Sequence, residues 1–370
     1  MESSDEGLTP LDALFLQRAY ELAARGIGSS APNPPVGAVV VRDGRVVGEG
    51  FHRRAGGPHA EAEALAGAGA QARGATLYVS LEPCKHVGRT PPCTQALLKA
   101  GIARVVAGTR DPSEHGGGAA LLKSRGVDVA VTNDAAAHEL IESFARASTS
   151  RRPYVALKMA MSLDGAVASR PGVREQLTGP RTASYVRDLR AACDALMVGA
   201  NTVRIDDPLL TVRPPRHRAR PYRRIVACES EPIAKTSRVF DDQPGYDRTI
   251  VLVPSGRSER FDALREKADM VYVGEAGALR LDPIAALEAL RVRGIFSVLC
   301  EGGPKLAAAL IAAEAVDRFY WVIAPTILGN ERAVPVLSGS DLTQRKLRPR
   351  FDRIERLGDD LMIGGTFERV

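Results

Sequence analysis

Little in this 370-residue chain suits a membrane or an oxidising compartment. No apolar run approaches the roughly 18 residues that a membrane helix needs, so no membrane partner is expected. The opening residues 1–6 are acidic and lack an apolar core, which argues against a signal peptide. Cysteine is scarce: there are five, an odd number, widely spread. Such a set makes no disulfide framework, and its thiols are expected to bind metal or to pack, in a cytoplasmic setting. Neither G-x-G-x-x-G nor a P-loop occurs, which disfavours a Rossmann dehydrogenase or an NTPase. The basic stretch 213–224 carries three prolines but few stacking aromatics beyond Tyr222. It reads as a solvated insertion and not as a nucleic-acid surface, so no nucleic-acid partner is expected.

What is present is ordinary for a globular protein: 45% hydrophobic and 25% charged residues. The length favours two domains. The polar segment 145–153, ending in Pro153, is the best linker, giving domains of 1–149 and 150–370. A net charge of +6 suits phosphorylated ligands without demanding them.

The chemistry concentrates in His59-Ala60-Glu61, Glu82-Pro83-Cys84 and Pro92-Cys93. One imidazole and two thiolates can hold Zn²⁺ at three positions and leave the fourth for water, the mark of a catalytic site as opposed to a structural one. Glu61 lies close enough to move protons without binding metal. H-x-E followed by P-C-x-x-C is the pattern of zinc deaminases that act on nucleobases. Here eight residues, 85–92, separate the cysteines.

The surrounding pattern fits an α/β layer fold. Thr9-Pro10 caps and starts a helix, with apolar residues at helical spacing from Leu11 to Ala23 and Gly26 after it. Asp43-Gly44 between β-prone runs predicts a hairpin. A helix is expected from His59 to Ala70, with His59 and Glu61 in its first turn, where the helix dipole favours negative charge. A buried strand is expected over 76–81, then a helix opening at Cys93, a strand over 103–109, loop and helix over 116–125, and a strand over 127–131. Alternating strands and helices imply three layers around a largely parallel sheet. Asn33, fixed between Pro32 and Pro34, could read a base edge or could serve only the turn.

With these residues in view, 30–113 resembles the deaminase half of the bacterial bifunctional riboflavin-biosynthesis deaminase/reductase. The matching pieces are Ala31-Pro-Asn-Pro-Pro-Val-Gly37, Gly48-Glu-Gly-Phe-His52, His59-Ala-Glu61 and Leu81-Glu-Pro-Cys-Lys-His-Val-Gly-Arg-Thr-Pro-Pro-Cys93. The long spacer discriminates most, since ordinary cytidine and tRNA-adenosine deaminases have the short one. Lys85 stands where the family often has Ser. The resemblance implies a cytidine-deaminase-like domain with one Zn²⁺ on His59, Cys84 and Cys93, and Glu61 as the proton carrier. It also implies substrate contacts from Asn33, His52, His86 and Arg89. Arg89 is an always-charged fork suited to phosphate.

In the second half, a strand over 154–161 carries Lys158 among apolar neighbours, a costly placement unless the lysine is paired or functional. A helix is expected from Gly179-Pro180 through Cys193, and strands over 195–198, 224–227, 249–253 and 296–300. Gly199-Ala200-Asn201-Thr202 reads as a small-residue turn, and 206–213 as a loop returning to strand. Glu301-Gly302-Gly303-Pro304 ends a strand before a helix, the arrangement of a phosphate cradle, though Gly-Gly turns also serve folding.

These pieces resemble the reductase half of the same family, over roughly 154–330. They include Leu157-Lys-Met-Ala-Met-Ser-Leu-Asp-Gly165, Asp194-Ala-Leu-Met-Val-Gly-Ala-Asn-Thr202, Asp206-Asp-Pro-Leu-Leu-Thr-Val-Arg213, Glu301-Gly-Gly-Pro304 and Ala324-Pro-Thr-Ile-Leu-Gly329. The resemblance implies a dihydrofolate-reductase-like fold and NADPH. By position, Ala160, Gln176, Thr202, Asp206, Gly302, Gly303 and Pro304 would face the cofactor. Lys158, Arg174, Arg190, Asp207, Leu210, Arg213 and Glu301 would face the substrate, with Arg190 and Arg213 on its phosphate. Arg174 replaces a usual Ser, Gln176 a frequent aromatic and Cys228 a frequent Asp. The implied partner is a small phosphorylated pyrimidine, acted on by a homo-oligomer, dimer or tetramer. Two other readings remain: a nucleic-acid or nucleoside deaminase with an accessory domain, and a non-catalytic zinc scaffold.

Overall fold

The computed structural model describes residues 8–87, 91–214, 218, 220–340, 342–343 and 347–368. The chain divides near Ser150 into two compact units. Expected site residue Arg89 lies outside the described residues.

The first unit runs α1 (Pro10–Ala24), β1 (Gly37–Arg42), β2 (Arg45–Phe51), α2 (Ala60–Ala68), β3 (Thr76–Val79), α3 (Cys93–Ala100), β4 (Arg104–Ala107), α4 (Gly118–Ser124), β5 (Asp128–Val131) and α5 (Ala135–Thr149). Thr9 and Asp12 form a reciprocal capping box with Pro10 in the first turn, so the start of α1 follows its local sequence. Asp43 and Gly44 both have positive φ, 51° and 70°, as a tight two-residue hairpin turn between β1 and β2 requires.

The described sheet has the order β2-β1-β3-β4-β5. It is mixed and not largely parallel: β1 pairs antiparallel with β2 and β3, whereas β3-β4 and β4-β5 are parallel. The reason is the hairpin, which reverses the chain before the first crossover helix. The period of two along β1 puts Ala38 and Val40 on the face covered by α2 and α3, and Val39 and Val41 on the face covered by α1. Helix α5 consumes most of the expected linker. Its buried Ala137, Ile141 and Ala147 hold it to the unit, so the polar composition of 145–149 marks a solvated face and not a break.

The second unit runs β6 (Tyr154–Ser162), β7 (Ala166–Ala168), α6 (Pro180–Ala192), β8 (Ala195–Gly199), α7 (Ala200–Asp206), β9 (Arg223–Ala227), β10 (Ile250–Pro254), β11 (Asp269–Val273), α8 (Pro283–Val292), β12 (Ser297–Cys300), α9 (Pro304–Ala312), β13 (Arg318–Ala324), β14 (Val334–Pro335), β15 (Arg348–Leu357) and β16 (Asp360–Glu368). Its large described sheet has the order β11-β10-β9-β8-β12-β6-β13-β16-β15. It is parallel up to β13 and ends in the antiparallel pairs β13-β16 and β16-β15. One core joins Val155, Leu157 and Met159 to α8 and α9. The other joins Ala156, Leu196 and Val198 to α7 and to the partly buried Tyr185 and Leu189 of α6.

Two expectations change. Residues 199–202 are the start of helix α7 and not a turn, which puts Thr202 and Asp206 on one helical face at i and i+4. The segment after Asp206 forms no strand; Asp207 and Leu210 sit at φ of 41° and 52°, a conformation incompatible with an extended run.

Candidate functional site

In the first unit, local sequence delivers each ligand to the same place. His59 is the N-cap residue of α2, and its side chain makes no capping hydrogen bond. Cys84 lies on the segment after β3, and Cys93 is the first residue of α3, behind Pro92. His59 Nδ1 stands 3.2 Å from Cys93 Sγ and 3.6 Å from Cys84 Sγ. A tetrahedral ion with Zn–N near 2.0 Å and Zn–S near 2.3 Å needs N···S edges of about 3.6 Å. The donor set and spacing therefore fit zinc. Among the described residues no fourth His, Cys, Asp or Glu joins the group.

Glu61 lies in the first turn of α2, outside the ligand group, and is only 4% exposed. Burial, reinforced by the negative charge of Cys84, pushes its carboxyl pKa up. A buried carboxyl beside the donor group, and not part of it, is placed to exchange protons with a ligand.

Asn33 and His52 form a chain. His52 Nδ1 donates to the Pro58 carbonyl at 2.8 Å, which leaves Nε2 to accept from Asn33 Nδ2 at 3.0 Å. Burial pushes the His52 pKa down and keeps the ring neutral, as that tautomer requires. The backbone of Asn33 is fixed as well, with its N–H donating to Ser30 O and its carbonyl accepting from Ser30 Oγ. His52 thus orients the Asn33 amide, whose oxygen is left for a ligand. Both residues line a cavity of ≈ 220 Å³ together with His59, Glu61, Cys84 and His86.

The far wall comes from residues that the sequence reading passed over. Asp111, Ser113 and His115 line the same cavity, as does Phe144 of α5. Glu82, buried between β3 and Cys84, accepts from Asp111 N at 3.1 Å and from Ala119 N at 2.8 Å. It ties the 111–118 loop to the ligand segment. The one signal in the sequence was the run Gly116-Gly117-Gly118. A Cβ on Gly118 would lie 1.8 Å from Pro83 O, so only glycine permits this approach.

In the second unit, Arg190 of α6 forms a two-pronged bond with Glu301, Nε to Oε1 at 2.5 Å and Nη2 to Oε2 at 2.8 Å, while Nη1 donates to Thr211 O. Lys158 is half-buried beside them. Desolvation lowers its pKa, and the charge of Glu301 opposes that shift. The parallel strands β8 and β12 are neighbours, with Cys300 opposite Met197, so α7 and α9 begin side by side at their ends. Gly303 caps α9 ahead of Pro304, and a Cβ there would come within 3.3 Å of Thr202 Oγ1. The amides of the first turn of α9, with no side chain at Gly302 or Gly303 to cover them, suit the phosphates of a dinucleotide.

The remaining expected residues are scattered around this centre. Asp206 is half-buried, and burial raises its pKa while Arg174 opposes that. Asp207 accepts from Arg238 N, and Leu210 is buried in a strained conformation. Ala160 is half-buried on β6, Arg213 and Arg174 are exposed, and exposed Gln176 donates to Thr178 O. Cys228 is fully buried, and burial pushes its thiol up to about 12.

Two family models match the chain: the RibD C-terminal domain over residues 153–363, and the cytidine and deoxycytidylate deaminase zinc-binding region over 10–109. The chain is 37% identical to the riboflavin biosynthesis protein RibD of Aquifex aeolicus over 95% of its own length and 98% of that protein's. It is 36% identical to RibD of Escherichia coli, with the same shares covered. It is similar to the crystal structure of a diaminohydroxyphosphoribosylaminopyrimidine deaminase/5-amino-6-(5-phosphoribosylamino)uracil reductase from Thermotoga maritima, with a TM-score of 0.82 and 34% identity over 97% of this chain and 99% of the other. A structure of Acinetobacter baumannii RibD gives 0.81 and 33%, with the same shares covered.

Proposed function

The chain belongs to the RibD family, and from that premise we propose how its residues carry out the family's two reactions. It is a bifunctional enzyme of riboflavin biosynthesis, a zinc deaminase joined to an NADPH-dependent reductase of dihydrofolate-reductase-like fold. Its substrate is 2,5-diamino-6-(5-phosphoribosylamino)pyrimidin-4-one. The observation that carries the reading is the cluster of His59, Cys84 and Cys93, with Glu61 beside it as a non-ligand in a cavity of the size of a small ring.

His59, Cys84 and Cys93 would hold the zinc, which supplies a water whose pKa falls towards 7. Glu61 would carry two protons in turn, one from the attacking water to the ring nitrogen and a second, from the hydroxyl that this attack creates, to the departing ammonia. Its raised pKa suits both directions of transfer. Asn33, locked by His52, presents its amide oxygen to the edge of the base. His86 and Arg89 complete the substrate contacts, with Arg89 on the phosphate.

In the second unit NADPH supplies the hydride that converts the ribosyl group to a ribityl chain. Gly302, Gly303, Pro304 and Thr202 would cradle its phosphates, with Ala160, Asp206 and Gln176 alongside. Lys158, beside the Arg190–Glu301 pair, would offer a proton to the sugar oxygen released on ring opening. Arg190 serves first to position Glu301, and its remaining N–H groups, with Arg213, reach the phosphate. Asp207, Leu210 and Arg174 border the sugar. The unpaired thiols suit a cytoplasmic location. The proposal includes a homo-oligomer as the working form.

The test is to incubate the purified protein with the diaminopyrimidine, with and without NADPH. Ammonia release should need no NADPH, and NADPH oxidation should require the deaminated product. Metal analysis should find about one zinc per chain. NADPH oxidation without prior ammonia release would overturn the order, and turnover by metal-free protein would overturn the deaminase assignment.

A further inference from the structure

His115 has no role in the reactions described so far, yet it stands at the deaminase cavity in an arrangement with several independent supports. Its ring lies parallel to that of His86, with centroids 3.9 Å apart and planes 21° apart. Both rings line the cavity that holds Glu61 and Asn33. His86 Nδ1 is buried and has no hydrogen-bond partner among the described residues. A buried ring nitrogen without a partner is costly, and it is normally satisfied by water or ligand. The loop that bears His115 is not loosely placed. Both carboxylate oxygens of Glu82 hold its ends, Asp111 Oδ1 accepts from Ser113 N at 2.9 Å, and Ser113 Oγ accepts from His115 N at 3.2 Å. Glycines 116 and 118 let it close against its own turn and against Pro83.

We propose that His115 is a positioning residue for deamination: its imidazole face fixes the plane of His86, so that the buried Nδ1 of His86 meets a polar group of the substrate. The inference rests on the deaminase reading and deepens it. His86 lies on the segment between the two zinc-binding cysteines, where the local sequence offers no support of its own for a ring. The support comes from a loop 29 residues further on. The contact needed is aromatic and planar, not a charge, because stacking orients a ring by its face.

The test compares His115→Ala with His115→Phe in the full chain. KM and kcat are measured for the diaminopyrimidine, together with zinc content, the dissociation constant of the deaminated product by calorimetry, and the reductase rate. The alanine variant should raise KM and weaken product binding by roughly 3- to 10-fold, the range an aromatic pair supplies. Its kcat should stay within twofold and its zinc and reductase rate unchanged. Phenylalanine should restore KM to within about twofold of the parent. Three outcomes overturn the inference: KM unmoved by alanine, phenylalanine as poor as alanine, or zinc lost from the alanine variant, which would make the loop a support for the metal segment. If the unsubstituted chain releases no ammonia, the deaminase reading falls first and this inference with it. If it does and the variants match it, only the inference falls.

Discussion

In the first unit the metal ligands and Glu61 come from two short stretches, 59–61 and 84–93, and each sits at the end of an element whose start is written locally. In the second unit the central pair, Arg190 of α6 and Glu301 just after β12, joins residues 111 apart, and half-buried Lys158 comes from β6. The first arrangement gathers the His59, Cys84 and Cys93 donors, Glu61, Asn33 and His52 around a cavity. The second sets the partly exposed pair Arg190 and Glu301 against each other beside the sheet, with Lys158 next to them. A site whose groups are spaced by helix and strand ends tolerates remote change. A site made of mutually compensating charges depends on every member being present, because an unpaired buried charge costs several kcal/mol.

The sharpest way to break this comparison is Glu61→Gln. Deaminase kcat should fall by about 10²- to 10⁴-fold, the range for a general acid–base group. Zinc should remain, because Glu61 is not in the ligand group, and so should the rate of NADPH oxidation with the uracil substrate. Retained deaminase turnover in a zinc-loaded variant would remove Glu61 from the mechanism.

Glu301→Gln tests the other side. Arg190 and Lys158 would lose their counter-charge, and the second unit should lose about 2–3 kcal/mol, somewhat less than a fully buried pair because the Arg190 side chain keeps 23% of its exposure. Calorimetry should show the second unit melting roughly 4–10 °C lower, with the deaminase rate intact. An unchanged melting temperature would mean that the charges are not mutually dependent.

The smallest effect concerns a compensated charge in the first unit, far from its site. Burial opposes ionisation of Asp12, but hydrogen bonds from Arg104, Tyr78 and Thr9 outweigh it and hold the carboxyl well below the usual carboxylate range. A depressed folded pKa contributes stability that is fully present above the unfolded value near 3.9 and is lost as pH falls through the folded one. Asp12→Asn should therefore lower the melting temperature at pH 7, by about 1–2 kcal/mol in stability, and the gap from the parent should shrink steadily below about pH 4. A gap that persists at low pH would assign the effect to packing.

The elements that could be read in the sequence were those with local signatures. The α1 capping box, the Asp43-Gly44 turn and the alternation along β1 reappear as expected. The C-terminal hairpin β15-β16 went unread, because exposed residues such as Phe351 and Ile354 blur its alternation. The expected linker 145–153 brackets the division at Ser150, but its first five residues are the end of α5, whose polar face dominates the composition there. The deaminase ligands were legible as a spaced motif. The roles of Glu82, Asp111 and His115 were not, because each depends on a contact between segments that the sequence does not place side by side.

Sequence alone determined which donor types lie close along the chain: His59 with Glu61, Cys84 with Cys93, and a Gly-Gly-Pro at a strand end are properties of neighbouring residues. Tertiary structure alone decided which nitrogen of His52 accepts a hydrogen bond, that Arg190 is engaged by Glu301, and that a distant loop lines the cavity beside His86. The physical reason is that hydrogen-bond tautomers, charge compensation and ring stacking are pairwise terms between residues far apart in the chain, and folding determines which pairs exist.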